Sequence, residues 1–556
     1  MRNLSRSLLL AAFTAALWLA LARPAHAQWT NDPWNGMTAV TNETGSDSYP
    51  QIAHLGSGYT LVIWVRPDGD DPRIKFQILD QEGQALLGPI GAYMFDGNWQ
   101  YGCERYLIPD GAGGAICVVS DARSGYRDIY GQRFDSQGNL LWGATGLPLA
   151  EWPGLQDMIL YDVATSSNGE FFFTWNVQDG TGHTDLYIQK ADNSGNRLWG
   201  AFGVPVGTGP GSQAYSQVVP DAAGGALVLW EDSRANPYTY NLYAQHLDQN
   251  GAPLLQTNGI PVLDLFGQQI EMGILEDGAT DGRGGGIWVY TTPGSSNHLD
   301  VIRVNGQGQL LWLWYSPYYG SHYIYDVKRH GRSNTVWICA YDNRPGASAT
   351  YLYQFDIRGN PLFGSGGIPY GGGSLSETSD GMIVFRPYQV GGGTRFSAVR
   401  VNSGGRIAWV TDVALASEVG VFTNPVGASD GADGAVVAFE DWRQYPTTQV
   451  DIFAQRVQYN GQLGNPMAPQ MAAWTEPLDI SILSGNLVEF TLPLSGHVKS
   501  ELFDLLGRRI ATLSEGFKSA GVQTIRIDDN NLPSGLYLMR LTTSSGQQVR
   551  KLTITR

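Results

Sequence analysis

The chain has 556 residues, 71 of them glycine, with 11% aromatic and only 15% charged residues, a composition suited to short strands and tight turns rather than long surface helices. Its formal charge is −16, and residues 28–465 hold 43 acidic against 23 basic side chains, which argues against a nucleic-acid partner. Three cysteines, Cys103, Cys117 and Cys339, are too few and too scattered for a disulfide framework.

Residues 1–27 read as a signal peptide: Arg2 and Arg6, an apolar run from Leu8 to Leu21, then Ala25-His26-Ala27 before Gln28. The alternative reading is an N-terminal membrane anchor. No later stretch is long and apolar enough to cross a bilayer, so an integral membrane protein is not expected.

A unit of about 55 residues then recurs eight times across 28–461. Its clearest copies begin PDGAGGAICVVSDARSGYRDIYGQRFD (109–135), PDAAGGALVLWEDSRANPYTYNLYAQHLD (220–248) and SDGADGAVVAFEDWRQYPTTQVDIFAQRV (429–457). In each, a first strand leads to a D-x-x-G-G turn such as Asp110–Gly114, Asp221–Gly225 or Asp281–Gly285. A nearly continuous apolar second strand follows, as a strand buried on both faces requires. After a variable loop comes an alternating third strand, a D-x-x-G turn, and a fourth run such as LLWGATGLPL. Four antiparallel strands repeated radially predict an all-β fold, a β-propeller with one blade per repeat; a stacked solenoid is the alternative. Gly36-Met37-Thr38-Ala39-Val40 matches the fourth strands that open at Gly91, Gly146, Gly203 and Gly259, whereas the last repeat lacks one. The N-terminal strand is therefore expected to complete the last blade and close an eight-bladed ring. Degenerate copies five to seven leave seven blades and an outlier as the other count. Cys117 and Cys339 fall in apolar runs and read as buried thiols; a Cys103–Cys117 bridge is left open.

Two loop sets reach the opposite rims of such a ring. The one between second and third strands, with the inter-blade connections, varies most, and is where recognition is expected. It carries a recurring D-x-R: Asp121/Arg123 with Asp128, Asp232/Arg234, Asp342/Arg344, and Asp441/Arg443 with Asp451. An arginine two residues from each aspartate neutralises it, so these read as structural ion pairs. Asp68, Asp70 and Asp71 on a glycine-containing loop are the best local pattern for Ca2+, the one cofactor considered. Exposed aromatics suit sugar rings: the candidates are Trp99, Tyr101, Trp152, Tyr315, Tyr318, Tyr319 and Tyr323. Trp312 aligns with Trp142 and Trp199 and reads as core. No catalytic residue is assigned: there is no nucleophile elbow, phosphate loop or metal-spaced histidine pair.

A linker at 462–475 precedes residues 476–556, where alternation and glycine turns predict an immunoglobulin-like β-sandwich of about seven strands. Phe503-Asp504, Gly507-Arg508, Ser519-Ala520-Gly521, Leu532-Pro533-Ser534-Gly535-Leu536-Tyr537 and Lys551-Leu552 resemble the type A C-terminal sorting domain of type IX secretion substrates from Bacteroidota and relatives. A module of flagellar-hook-capping type has a similar pattern. The resemblance implies an address read by the outer-membrane secretion machinery, with Asp504, Gly507, Arg508, Gly521, Pro533, Gly535, Tyr537 and Lys551 as its motif. It implies export through the periplasm to the outer cell surface or beyond. The expectation is a secreted, non-enzymatic binding protein for a glycan, a matrix polymer or a surface protein. The alternatives are a polysaccharide-active hydrolase or lyase, and a structural surface or motility component.

Overall fold

The computed structural model describes Trp29, most of residues 38–464 and most of residues 480–554. The chain divides after Asn465 into two compact units. Among the described residues every regular element is a strand, and no helix is long and apolar enough to cross a membrane.

The first unit contains eight antiparallel sheets, numbered here in chain order. Sheet 1 holds Ser48–His54, Thr60–Asp68, Asp71–Leu79 and Ala92–Tyr93. Sheet 2 holds Arg105–Pro109, Ala115–Asp121, Asp128–Phe134 and Leu147–Ala150. Sheet 3 holds Met158–Thr165, Phe171–Gln178, Thr184–Ala191 and Val204–Gly207. Sheet 4 holds Gln213–Pro220, Ala226–Asn236, Thr239–Leu247 and Ile260–Leu263. Sheet 5 holds Leu275–Thr280, Gly286–Thr291, Leu299–Val304 and Leu310–Tyr315. Sheet 6 holds His322–His330, Thr335–Asp342 and Ala349–Asp356. Sheet 7 holds Ser374–Glu377, Gly381–Val390, Gly393–Asn402 and Val413–Gly420. Sheet 8 holds Phe422–Ser429, Ala435–Asp441, Asp451–Val457 and, from the N-terminus, Thr38–Ala39.

Sheet 6 departs from the four-strand expectation. Its fourth strand is reduced to a bridge between Leu352 and Ile368, because the run GSGGIPYGGG (364–373) has too little side chain and too much backbone freedom to hold a ladder.

The second strand of each sheet is the buried one; Ala115–Asp121 and Ala435–Asp441 are buried at every position. Its tryptophans, Trp64, Trp175 and Trp230, have no exposed surface. The fourth strand bends over them at a glycine. A Cβ on Gly203 would lie 2.6 Å from the Trp175 ring, and one on Gly259 would lie 2.3 Å from Trp230; both glycines have positive φ. No other residue meets both demands.

Apolar cores lie between neighbouring sheets. One joins Ile63 and Phe76 of sheet 1 to Cys117 and Phe134 of sheet 2. Another joins Trp64 and Val62 of sheet 1 to Val436, Ala438 and Ile452 of sheet 8. The first strands touch in succession from sheet 1 to sheet 8, and that of sheet 8 touches that of sheet 1. Thr38 and Ala39 pair with Ala454 and Phe453, and the Val40 N–H donates to the Ile452 carbonyl at 2.9 Å. Trp29 is buried against Gly83 of the next sheet's turn. Trp199, Trp312 and Trp409 sit in the same way on Gly251, Gly359 and Gly461.

The second unit is a sandwich of two sheets. One has three strands, Ile480–Leu483, Leu487–Leu492 and Gly521–Arg526; the other has four, in the order Arg509–Lys518, Gly496–Phe503, Gly535–Thr543, Gly546–Ile554. Val488, Phe490, Leu502, Ile525, Met539 and Leu541 form its core.

Candidate functional site

Antiparallel strands put the first-to-second-strand turns at one end of every sheet and the second-to-third-strand loops at the other. The turn end is committed to structure. Asp110 Oδ1 accepts the N–H groups of Ala112 and Gly114, both at 2.7 Å, while its Oδ2 takes Arg133 at 2.8 and 2.9 Å. Asp281 with Arg303 and Asp430 with Arg456 repeat this pattern. Asp221 does so with His246 at 2.7 Å. Arg133 and Trp142 both reach the Asn193 carbonyl in the next sheet, as Arg303 and Trp312 reach that of Ile357. A cavity of ≈ 480 Å³ opens here among Pro109, Thr165, Pro220, Asp221 and Thr280. Its one carboxylate is already held by His246.

At the loop end the D-x-R groups fold back on themselves. The Arg234 backbone N–H and Nε each donate to Asp232 Oδ1 at 2.9 Å, and its Nη2 reaches the Asn258 carbonyl at 2.8 Å. Arg123 binds Asp121 and the Thr145 carbonyl. Arg443 binds Asp441, and Asp451 stands opposite Asp441 in the register. Asp128 accepts from Ser124 at 2.8 Å. Arg344 bridges Asp342 and the Tyr353 hydroxyl, its guanidinium 3.4 Å from the Tyr351 ring centroid and 3.8 Å from that of Tyr318. Burial works against the Asp342 carboxylate, but His322 and Arg344 outweigh it and hold it below the usual range.

The aromatic candidates separate. Tyr315 and Tyr323 are more than half exposed, and Tyr323 lies 6.1 Å from the Tyr341 ring. Tyr318 is covered by Arg344. Trp152 packs edge-on against Tyr187 at 4.6 Å, so its face is taken up by sheet 3. Trp99, Tyr101 and Tyr319 lie outside the described residues, as do Asp70, Cys103 and Gly507. Asp68 and Asp71 are register partners closing a two-residue hairpin. Among the described residues no group of three or more His, Cys, Asp or Glu side chains is arranged to hold a metal ion. Cys117 and Cys339 are buried.

The structure adds a feature that the sequence reading missed. The first strands of sheets 1, 3, 4, 5, 6 and 8 carry a β-bulge at the loop-end half. A bulge inserts residues without a partner and re-aims their side chains. The inserted residues include Tyr49 in sheet 1, Tyr161 in sheet 3, Tyr215 in sheet 4 and Tyr325 in sheet 6. Tyr49 and Tyr215 have φ of 54° and 48°, strained values for a bulky side chain that mark functional positions more often than chance. Tyr49 is 62% exposed and Tyr325 49%. Tyr161 and Tyr215 pack ring to ring at 5.5 Å, and Asn176 donates to the Tyr161 hydroxyl at 2.9 Å. The recurring Leu160-Tyr161-Asp162 and Ile324-Tyr325-Asp326 was the signal available.

Carboxylates follow the bulges. Asp162 accepts the Val163 and Val218 N–H groups, both at 2.8 Å. Asp326 takes the Leu375 N–H at 2.9 Å and Lys328 at 3.3 Å. Burial pushes the Asp162 carboxyl up to about 6 despite those N–H bonds. Burial, offset in part by Lys328 and reinforced by Asp326 and Asp162, pushes Asp277 up to about 7. Between sheets 8 and 1, Glu440 accepts from the Tyr49 N–H, Thr423 and Asn424 at 2.7–2.8 Å. Glu231 accepts the Leu275 N–H at 2.8 Å.

Residues 486–555 match the family model of the secretion system C-terminal sorting domain. The second unit is thus a type IX sorting domain, and the chain is exported to the cell surface or the extracellular space. Within it, Arg508 bonds Asp504 through its backbone N–H at 2.9 Å and Nε at 2.7 Å, and the Tyr537 hydroxyl donates to the Pro533 carbonyl at 3.0 Å. Gly521 and Gly535 open strands, and Lys551 is an exposed residue of the last one. Among curated proteins none matches this chain.

Solved structures similar to the chain include a polysaccharide lyase of family PL25, an ulvan lyase, at 12% identity, 77% coverage of this chain, 96% of that one and a TM-score of 0.41. An α-L-arabinanase of Penicillium chrysogenum is 13% identical, with 58% and 98% coverage and a TM-score of 0.33. The Hadza microbial sialidase Hz136 is 10% identical, with 58% and 69% coverage and a TM-score of 0.36. Likenesses this distant transfer no residue, substrate or reaction. They do correct one expectation: beside neighbours that are glycoside hydrolases and a polysaccharide lyase, the assignment of the chain as a non-enzyme is withdrawn.

Proposed function

We propose that the eight sheets are the blades of a closed propeller, sealed by the N-terminal strand, and that the exported protein engages a polysaccharide at the loop-end mouth of its central opening. The observation that carries this reading is the set of bulged first-strand tyrosines, Tyr49, Tyr161, Tyr215 and Tyr325, joined at sheet 6 by exposed Tyr323. Sugar rings stack their C–H faces on such aromatics and leave hydroxyls for the polar tips. The succession of first-strand contacts from sheet 1 round to sheet 1 supports the ring.

A second reading, that the protein also cleaves its polysaccharide, is favoured by Asp277 and Asp162. A carboxyl lifted to about 7, as in Asp277, is partly protonated near neutral pH, as a general acid must be, while Asp162 at about 6 is mostly ionised there. The mature chain, residues 28–556, is to be run through native gels cast with soluble polysaccharides, and the same polymers assayed for new reducing ends and for unsaturated sugar products. Retardation by at least one polymer is expected. Cleavage products would establish the second reading. No retardation and no product across the panel would remove both.

A further inference from the structure

We infer that this mouth accepts an uncharged glycan chain and turns away uronic and sulfated ones; the inference deepens the polysaccharide reading above and rests on it. The surfaces offered for stacking carry no charge: Tyr49, Tyr323 and Tyr325 are 62%, 61% and 49% exposed. Carboxylates stand beside them, together with two cations, Arg105 and Lys328. Glu440, 3% exposed, is held by three uncharged donors, the Tyr49 N–H, the Thr423 hydroxyl and the Asn424 amide, and by no cation among these bonds. Asp162 and Asp326 accept backbone N–H groups on the neighbouring first strands.

Most of the cations that could answer a sulfate or a uronate are committed to carboxylates. Arg123, Arg234, Arg344 and Arg443 are each clamped to the aspartate two residues before them. Arg66 holds Asp47 and Glu43, and Lys75 holds Glu43. Arg105 is held by the Tyr49 carbonyl, which does not cancel its charge, and Lys328, half exposed, pairs with Asp326. A guanidinium already forked onto a carboxylate cannot present the same donors to a second anion without breaking the first pair. The repeat region as a whole carries 43 acidic against 23 basic residues, so a polyanion meets repulsion before contact, over a screening length of about 8 Å at physiological salt.

The test uses the mature full chain and chemically matched probes: dextran against dextran sulfate, and galactomannan and pullulan against polygalacturonate. At least one neutral polymer should bind at least tenfold more tightly than every anionic one in 150 mM salt. That binding should change less than twofold between 50 and 500 mM salt, because stacking is not ionic. Tyr323→Ala and Tyr325→Ala should each weaken it about tenfold, while Tyr323→Phe, which keeps the ring, should bind within threefold of the parent. A polyanion bound more tightly, with affinity that falls steeply with salt and depends on the same tyrosines, would overturn the charge selection and leave the polysaccharide site standing. Absence of binding by every polymer, with an unchanged melting temperature, would overturn the polysaccharide reading and this inference together. An alanine variant that melts early is judged by the Tyr323→Phe result, where loss of binding counts against stacking.

Discussion

The two ends of the first unit are built from the same strands but commit their side chains differently. At the turn end, Asp110, Asp281 and Asp430 are each satisfied by two backbone N–H groups and an arginine of the third strand. The repeat is kept there because every copy solves the same problem: capping a tight turn and tying it to the next sheet. At the loop end the D-x-R pairs recur, and the first strands bulge in six of the eight sheets, but the inserted residue changes. The bulged residue is tyrosine in sheets 1, 3, 4 and 6, whereas sheet 8 has Asn424 and Pro425 there and sheet 7 has no bulge. The turn end repeats both its residues and its bonds, whereas the loop end repeats the bulge and varies the residue it inserts.

That contrast can be broken from either side. The largest effect is expected from deleting residues 28–41, which removes Trp29, the Thr38–Ala39 strand and Val40. Sheet 8 would lose its fourth strand, and the core it shares with sheet 1 would lose Trp29 and Val40, costing roughly 5 kcal/mol or more, visible as a large drop in denaturation midpoint. An unchanged midpoint would mean that the N-terminal strand does not seal the ring. Trp230→Ala, emptying a fully buried site, should cost about 3–5 kcal/mol by urea unfolding.

Asp110→Ala strands Arg133 and two N–H groups at a site 1% exposed. It should cost about 2–3 kcal/mol yet leave polysaccharide retention unchanged. Asp277→Asn has a pH signature. A folded carboxyl lifted to about 7 from the ordinary 3.8 binds its proton better folded than unfolded, so its contribution is most favourable at low pH and is lost as pH rises through about 7. Because Asp277 is only half-buried, the Asn variant should gain about 1–2 kcal/mol on the parent at pH 8 and none at pH 4, read from melting curves. Smallest in stability is Tyr325→Ala, an exposed change expected within about 0.5 kcal/mol, although it should cost about tenfold in retention.

Much of the architecture is legible in the sequence. The buried second strands announced themselves as apolar runs, and the turn aspartates as D-x-x-G-G. The pairing of Thr38–Ala39 with sheet 8 could be read from the match of Gly36–Val40 to the fourth strands, because the glycine there must clear a tryptophan. The sandwich was legible from its ordered motifs. The site was less so. A bulge inserts a residue without changing which residue types surround it, so nothing in the sequence sets Tyr161 and Tyr325 apart as bulged. Tyr318 looked like a loop aromatic, but Arg344 covers it, a contact that depends on the packing of sheet 6. Trp152 reads as a rim aromatic, and it packs edge-on against Tyr187 while only partly buried.

The most direct test compares the affinity of the mature chain for one retained neutral polysaccharide with that of two variants, Tyr325→Ala at the loop end and Asp110→Asn at the turn end. About a tenfold loss in the first and no change in the second is the result this account predicts. Equal loss in both, or loss only in the turn-end variant, would contradict it and move the binding face to the opposite rim.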